Sequence, residues 1–472
     1  MAHSENDHRA HPDPGRHARG AAKATTAARL RVLALISPSG HGNLGDEAIV
    51  AATIEYLRLR LPEARFVGIT LHPDDTRRRF GIEAFPIAGV SRPGYLVRGD
   101  LTAEALRVEA QFARDADRSH PSSPPTARGP SDRALTSVLK RAVKRVVPRD
   151  VLWIAVQELR HLRAARRLVQ GVDLVVVAGG GQIDDMWGGT WGHPYALFKW
   201  ASLARQAGRP LVVASVGFGT LRAPLSRWFA RRALRVARYR SFRDEGSLRR
   251  MQQAGLAHED PVLPDLAFGL DRRNLIARAQ QSRVPGLVCV GPMVFLDPAT
   301  WPIKDQAGHE AYLDRLASLA VGLVEAGRKV ALISSDGPDR RTVAAVYDRI
   351  SARVSPADLG RVSVPQTDSV DRFLVAVAGA DVFVGSRLHG LLLSLLAGTP
   401  VLALAYDRKV DALMHAMDLG ADCLGIGDFD PADAVARTLR LAADGDGKRA
   451  AIAARVREFS GRVQTQFDQL LT

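Results

Sequence analysis

Short apolar runs rich in Val, Ile, Leu and Ala recur along the chain, and most are followed by a glycine turn and a stretch of helical period. Residues 30–37, LRVLALIS, open the pattern. A run without polar alternation predicts a strand covered on both faces. A helix is expected from Asp46 to about Arg60, with Ile49, Ala52, Tyr56 and Leu57 on one side. Further strands are expected near 65–71, at 172–178 (VDLVVVA) and at 211–215. Helices are expected over 194–207, closed by Gly208 and Pro210, and from Pro224 to about Tyr239. A second series begins at 286–290 (GLVCV) and runs through a helix at 310–326 and strands at 329–334, 381–385 and 401–405. It ends in a long amphipathic helix from Lys448 to about Leu470. Two successive βα series predict an α/β protein with two domains, 29–280 and 281–472, whose largely parallel sheets face a cleft. That cleft is the default ligand site. Residues 1–28 are polar and aperiodic and are expected to form a disordered tail. The Pro-, Ser- and Arg-rich stretch 91–150 reads as a flexible insertion.

Composition narrows the class. The 472 residues are 46 % hydrophobic and 24 % charged, enough for a normal core and too apolar for global disorder. Two cysteines, Cys289 and Cys423, cannot build a disulfide framework or a zinc module, and read as small buried hydrophobes. The greasiest stretch, 391–405, is interrupted by Gly398 and Pro400 and is too short to span a bilayer. Residues 1–20 contain no apolar segment of the signal-peptide kind, so a cytoplasmic protein is expected.

The formal charge of +15 comes from 65 basic residues, 57 of them arginine, and it is concentrated in two places. Residues 91–170 hold 16 basic and 8 acidic side chains, and residues 222–250 hold 10 and 2. Arg227, Arg231, Arg235 and Arg238 recur at helical steps, which gives either a solvated face or a surface for a polyanion such as the inner membrane leaflet. With no zinc finger, no RNP motif and 6 % aromatics, nucleic acid is not an expected partner.

Several turns carry candidate chemistry. Gly40–Gly45 matches GxGxxG between a strand and a helix, but Asp46 and Glu47 follow at once and put negative charge where a pyrophosphate would sit. Either Asp46 caps its own helix, or the glycines admit a substrate to which Asp46 offers a carboxylate. GGGQIDD at 179–185 also ends a strand. Its glycines permit close approach, and Asp184 or Asp185 can accept from a sugar hydroxyl, with Trp187, Trp191 and Tyr195 nearby. SFRDEGS places Arg243 beside Asp244 after a short strand. LPDLAFGL at 263–270 contains one chemical candidate, Asp265. In GSRLHG, Arg387 and His389 stand two apart between a strand end and a helix start. There a planar fork, an imidazole and a helix N-terminus combine into an anion site. No spacing indicates a metal site.

Taken together, GNLGDEAI, GGGQIDD, FRDEGS, PDLAFGL and SRLHGLLLSLLAGTPVLALAYDRKV resemble, in order, the motifs of the polysaccharide pyruvyl transferase family. The resemblance spans about residues 30–420, without the 91–150 insertion. It implies two Rossmann-like domains similar to the GT-B glycosyltransferase architecture, with a final helix that packs partly on the first domain. It further implies transfer of pyruvate as a ketal from phosphoenolpyruvate to a sugar of a cell-surface polysaccharide or its lipid-linked precursor, without cofactor or metal. His389 and Asp46 are then the expected catalytic residues. Arg243, Arg387, Asn43, Gly180, Gly181, Asp184 and Lys409 are the expected substrate-binding residues, and a peripheral position at the inner membrane face follows from a lipid-linked acceptor. The alternative is a nucleotide-sugar-dependent GT-B glycosyltransferase, which shares the fold and also needs cations for its donor.

Overall fold

A computed structural model of the chain describes residues 30–471, apart from His41, 92–148, Trp187, Ala257, His258 and Pro302. The expected tail over 1–28, and the 91–150 insertion except Ser91, Arg149 and Asp150, lie outside the described residues. Strands β1 (Val32–Ile36), β2 (Arg65–Thr70), β3 (Glu83–Pro86), β4 (Leu174–Ala178), β5 (Leu211–Val216) and β6 (Tyr239–Phe242) form one sheet. Its order is β3-β2-β1-β4-β5-β6. Strands β7 (Leu287–Gly291), β8 (Lys329–Leu332), β9 (Val362–Ser363), β10 (Val382–Gly385), β11 (Val401–Ala405) and β12 (Cys423–Gly425) form the other, in the order β12-β11-β10-β7-β8-β9. Every pair is parallel, as βα connections require.

The two orders are the same winding scheme. Each sheet grows first to one side and then to the other, so a crevice opens at the carboxyl ends of β1 and β4 and again at those of β7 and β10. Strands β4 and β10 are buried along their whole length and β1 in all but Val32, as their unbroken Val, Leu and Ala content requires.

One apolar cluster runs through both domains. It joins Ile49 and Leu57 of the Leu44–Arg60 helix, Leu391 and Leu395 of the Leu388–Leu396 helix, and Phe459, Val463 and Phe467 of the final Gly445–Leu470 helix. That final helix crosses back onto the first domain, where Phe467 stacks on Tyr56 at 4.8 Å between centroids. Each such fully buried side chain contributes about 1.5–3 kcal/mol. The relative placement of the two crevices therefore rests on a packed core.

Some elements differ from the sequence pattern. The arginine-rich helix stops at Leu234, because the chain must turn to bring Tyr239 into register with Val212 of β5; Arg238 lies beyond the helix. The edge strands β3, β9 and β12, four residues or fewer, carry too little period to be read. The Arg149–Gln170 helix, which packs beside the His193–Gln206 helix, was also missed.

Candidate active site

The first-domain loops are shaped by glycine and capping. Asn43 is the N-cap of the Leu44–Arg60 helix, and its Oδ1 accepts from the N–H groups of Gly45 (2.9 Å) and Asp46 (3.3 Å). Asp46 is therefore not the cap, which corrects that reading and leaves its carboxylate facing the cleft. The Leu44 N–H donates to Ser335 O across the domain boundary at 3.0 Å. After β4, Gly180 has φ +72°, and a Cβ there would lie 3.2 Å from Asp46 Oδ1. Buried Gln182 ties the β1 and β4 loops together by donating to the carbonyls of Ile36, Ala178 and Gly179. Of the two acids in GGGQIDD, Asp184 lines the cavity, whereas Asp185 accepts from the Ala223 N–H at 3.0 Å.

The second-domain loops supply charge. Arg387, at the N-cap of the Leu388–Leu396 helix, donates through Nε and Nη2 to both oxygens of fully buried Asp339 (2.9 and 2.7 Å), and its Nη2 lies 3.3 Å from Asp336. The Arg387 fork is thus occupied by carboxylates of its own domain, and Nη1 is the part left for a ligand. Two residues on, the His389 ring covers Gly45: a Cβ on that glycine would sit 1.9 Å from His389 Cγ. His389 Nε2 is 3.5 Å from Asp265 Oδ2. The same Asp265 oxygen receives Arg243 Nη1 at 3.3 Å, and Oδ1 accepts from the Ala267 N–H at 3.0 Å. Arg243 in turn lies flat on Gly217, where a Cβ would be 2.5 Å from Nη2.

The geometry fixes the electrostatics. Burial alone would raise the Asp265 carboxyl, but His389, Arg243 and the Ala267 N–H bring it down to about 2, so it is ionised. Burial raises Asp46 above the usual carboxylate value, against the pull of His389, Arg243 and Lys409. Asp336 is raised as well, because burial and the neighbouring Asp339 outweigh Arg387. Lys409 starts the Arg408–Ala416 helix with its Nζ 4.9 Å from the Tyr406 ring centre. The N-termini of three helices, with Asn43, Arg387 and Asp407 as caps, converge here and favour a bound anion.

A cavity of about 330 Å³ lies between the two crevices, lined by Asn43, Asp46, Gly181, Asp184, Arg243, Asp336, Arg387, His389 and Lys409, with Trp301 and Tyr406 as aromatic walls. A second chamber of about 600 Å³ adjoins it and shares Arg243, Leu388 and Lys409. The family model for polysaccharide pyruvyl transferase matches residues 43–408, a span that contains every one of the named cavity residues but Lys409. The chain belongs to the polysaccharide pyruvyl transferase family. No curated protein sequence matches it significantly.

Solved structures extend the likeness to the fold alone. UDP-GlcNAc 2-epimerase from Neisseria meningitidis, bound to UDP-GlcNAc, aligns with TM-score 0.52 and 10 % identity over 94 % of this chain and 99 % of that one. The trehalose-6-phosphate phosphatase N-terminal domain of Candida albicans aligns with TM-score 0.51 and 11 % identity over 93 and 96 %. Anabaena HepE, in complex with UDP, aligns with TM-score 0.47 and 13 % identity over 93 and 98 %. The chain thus has a GT-B-like architecture of two parallel six-stranded sheets. No helix among the described residues is long and apolar enough to cross a membrane.

The expected residues meet at one place, with different surroundings. Asp46, Asp184, Arg243, His389 and Lys409 face the cavity, Gly180 and Gly181 keep the loop close, and Asn43 spends its Oδ1 on the helix start. Asp265, the chemical candidate of LPDLAFGL, joins the site through His389 and Arg243, whereas Asp336 and Asp339 are not among the residues expected from the sequence. Asp336 and Asp339 stand in SSDGPDR just after β8, and polar residues at the carboxyl end of a parallel strand were the available signal. Among the described residues no cluster of metal-ligating side chains occurs.

Proposed function

We propose that this chain transfers the pyruvyl group of phosphoenolpyruvate to two hydroxyls of one sugar in a cell-surface polysaccharide or its lipid-linked precursor, forming a ketal and releasing phosphate. The observation that carries the reading is the His389–Asp265 pair, seated over Gly45 with Arg243 and Lys409 on the same cavity. Phosphoenolpyruvate presents a carboxylate and a phosphate, and Arg243, Lys409 and Arg387 Nη1 are the cations that receive them, aided by the helix N-termini. Asp265, 3.5 Å from Nε2 without a hydrogen bond, favours the charged imidazolium by its own negative charge. Protonated His389 delivers its proton to the methylene carbon, which becomes the methyl group, and C2 turns electrophilic. A sugar hydroxyl adds to C2 and passes its proton to Asp46. The C2–O bond to phosphate then breaks, the second hydroxyl closes the ring at C2, and the second hydroxyl proton leaves with the phosphate. Proton transfer by a positioned side chain of this kind gives about 10²–10⁴-fold in rate.

Titration calorimetry separates this from a nucleotide-sugar reaction. Phosphoenolpyruvate binds and UDP-GlcNAc does not under this reading. Binding of nucleotide sugars without binding of phosphoenolpyruvate overturns it and assigns the cavity to a glycosyl donor.

A further inference from the structure

At the mouth of the cleft the first domain exposes a patch of large apolar side chains. Met186, Trp191, Leu225 and Trp228 are 42, 47, 43 and 45 % exposed. Trp191 and Trp228 pack on either side of Phe229, at 5.8 and 5.4 Å between centroids. A hydrogen bond between Thr190 Oγ1 and Ser226 Oγ (2.9 Å) ties the 189–191 turn to the Pro224–Leu234 helix. The patch is therefore a rigid surface. Met186 also lines the cavity of the site, so the patch begins where the cleft opens.

The charge around it has one sign. From Met186 to Arg243 the sequence contains eleven Lys and Arg and no Asp or Glu. On the helix and its C-cap, Leu225, Trp228, Arg232 and Arg235 follow at steps of three and four residues and are all exposed, and the Arg232 guanidinium lies 5.6 Å from the Trp228 ring centre. Arg222 and Arg227 flank the apolar end, where Arg227 donates to the Leu221 and Arg222 carbonyls and keeps its charge unneutralised. Among the described residues no carboxylate pairs with Arg222, Arg227, Arg232 or Arg235.

We propose that this face is a docking surface for an anionic lipid bilayer, with Trp191, Leu225 and Trp228 seated at the headgroup level and Arg222, Arg227, Arg232 and Arg235 on the lipid phosphates. Indole rings prefer the boundary between apolar and wet surroundings, and unpaired arginines around them select anionic headgroups. A docked enzyme holds its cleft mouth, at Met186, against the bilayer. The proposal stands on the surface alone and does not depend on the reaction assigned to the cavity.

Co-sedimentation of the full chain with vesicles tests it, using phosphatidylcholine alone or with about 30 mol % phosphatidylglycerol. The protein is retained on the anionic vesicles at low salt and released at high salt, because the screening length falls from roughly 10 Å at 0.1 M to about 3 Å at 1 M. Charge reversal at Arg232→Glu and Arg235→Glu weakens binding roughly fivefold or more per site. Trp228→Ser weakens it further and reduces the blue shift of tryptophan emission on binding to the share of Trp191. The exposed arginine pair carries the test if Trp228→Ser unfolds. Equal retention on neutral and anionic vesicles, or retention unchanged by the arginine pair, overturns the proposal. So does size-exclusion chromatography in which the arginine pair dissociates a dimer, which assigns the face to a second copy of the chain.

Discussion

At the carboxyl end of the first sheet the chain presents glycines and a capped helix start beside Asp46, Asp184 and Arg243; at that of the second it presents an arginine, a histidine and two aspartates that brace the arginine. The two sheets have the same strand order, so the difference lies in the loops. Gly45 and Gly180 make room, and the second domain fills it: His389 occupies the space that a Cβ on Gly45 would take. The second domain also braces its own charge, because Arg387 is held by Asp339 and Asp336. The first is looser with charge. Glu47, 3 % exposed, reaches Arg79 with Oε2 at 3.0 Å and leaves Oε1 buried with no hydrogen-bond partner among the described residues. Neither domain holds the reaction centre by itself, because Asp265 and Arg243 come from the first half of the chain and His389 from the second.

The sharpest way to break this division of labour is to remove the proposed proton donor. His389→Ala is expected to lower kcat by about 10²–10⁴-fold, while phosphoenolpyruvate binding, measured by calorimetry, changes little. If both fall together, the ring serves binding rather than proton delivery. Arg387→Ala acts on the brace instead. It strands the fully buried Asp339 carboxylate and costs about 3–5 kcal/mol of stability, read as a lower denaturant midpoint, with partial rescue by adding Asp339→Asn. No loss of stability would place the Arg387 charge at the ligand and not in the scaffold. Gly45→Ala tests the first-domain contribution. The new methyl group displaces the His389 ring, and a misplacement of about 1 Å lowers turnover about 10²-fold with the fold intact by circular dichroism.

The last test concerns the unbraced carboxyl of the first domain. Burial, against the pull of Arg79, raises Glu47 from 4.5 to about 8. The unfolded chain then loses this proton near pH 4.5 and the folded chain keeps it to about pH 8, so Glu47 makes stability decline as pH rises through that window. Glu47→Gln flattens this part of the profile in urea unfolding between those pH values. An unaltered slope would mean that Arg79 keeps Glu47 ionised.

Much of this arrangement was legible in the sequence, for a physical reason. Apolar strands buried on both faces and glycine-punctuated turns are local features, so β1, β4, β7, β10 and β11 could be read directly. The Arg387–His389 turn was legible because a strand end, a glycine and a helix start surround it. What escaped is non-local. That Asp265 pairs with His389, 124 positions away in sequence, depends on how the domains meet. That Arg387 is engaged by Asp339 depends on β8 lying beside β7 and β7 beside β10. The role of Gly45 is visible only with the ring of His389 above it.

The most direct test of the account is to incubate the purified chain with phosphoenolpyruvate and candidate glycan acceptors and to follow both phosphate release and acceptor mass. Phosphate release that requires the acceptor, with one pyruvyl ketal gained per phosphate and both products slowed together in His389→Ala, is the result predicted here. A glycosyl group transferred from a nucleotide sugar, with phosphoenolpyruvate left intact, would contradict it.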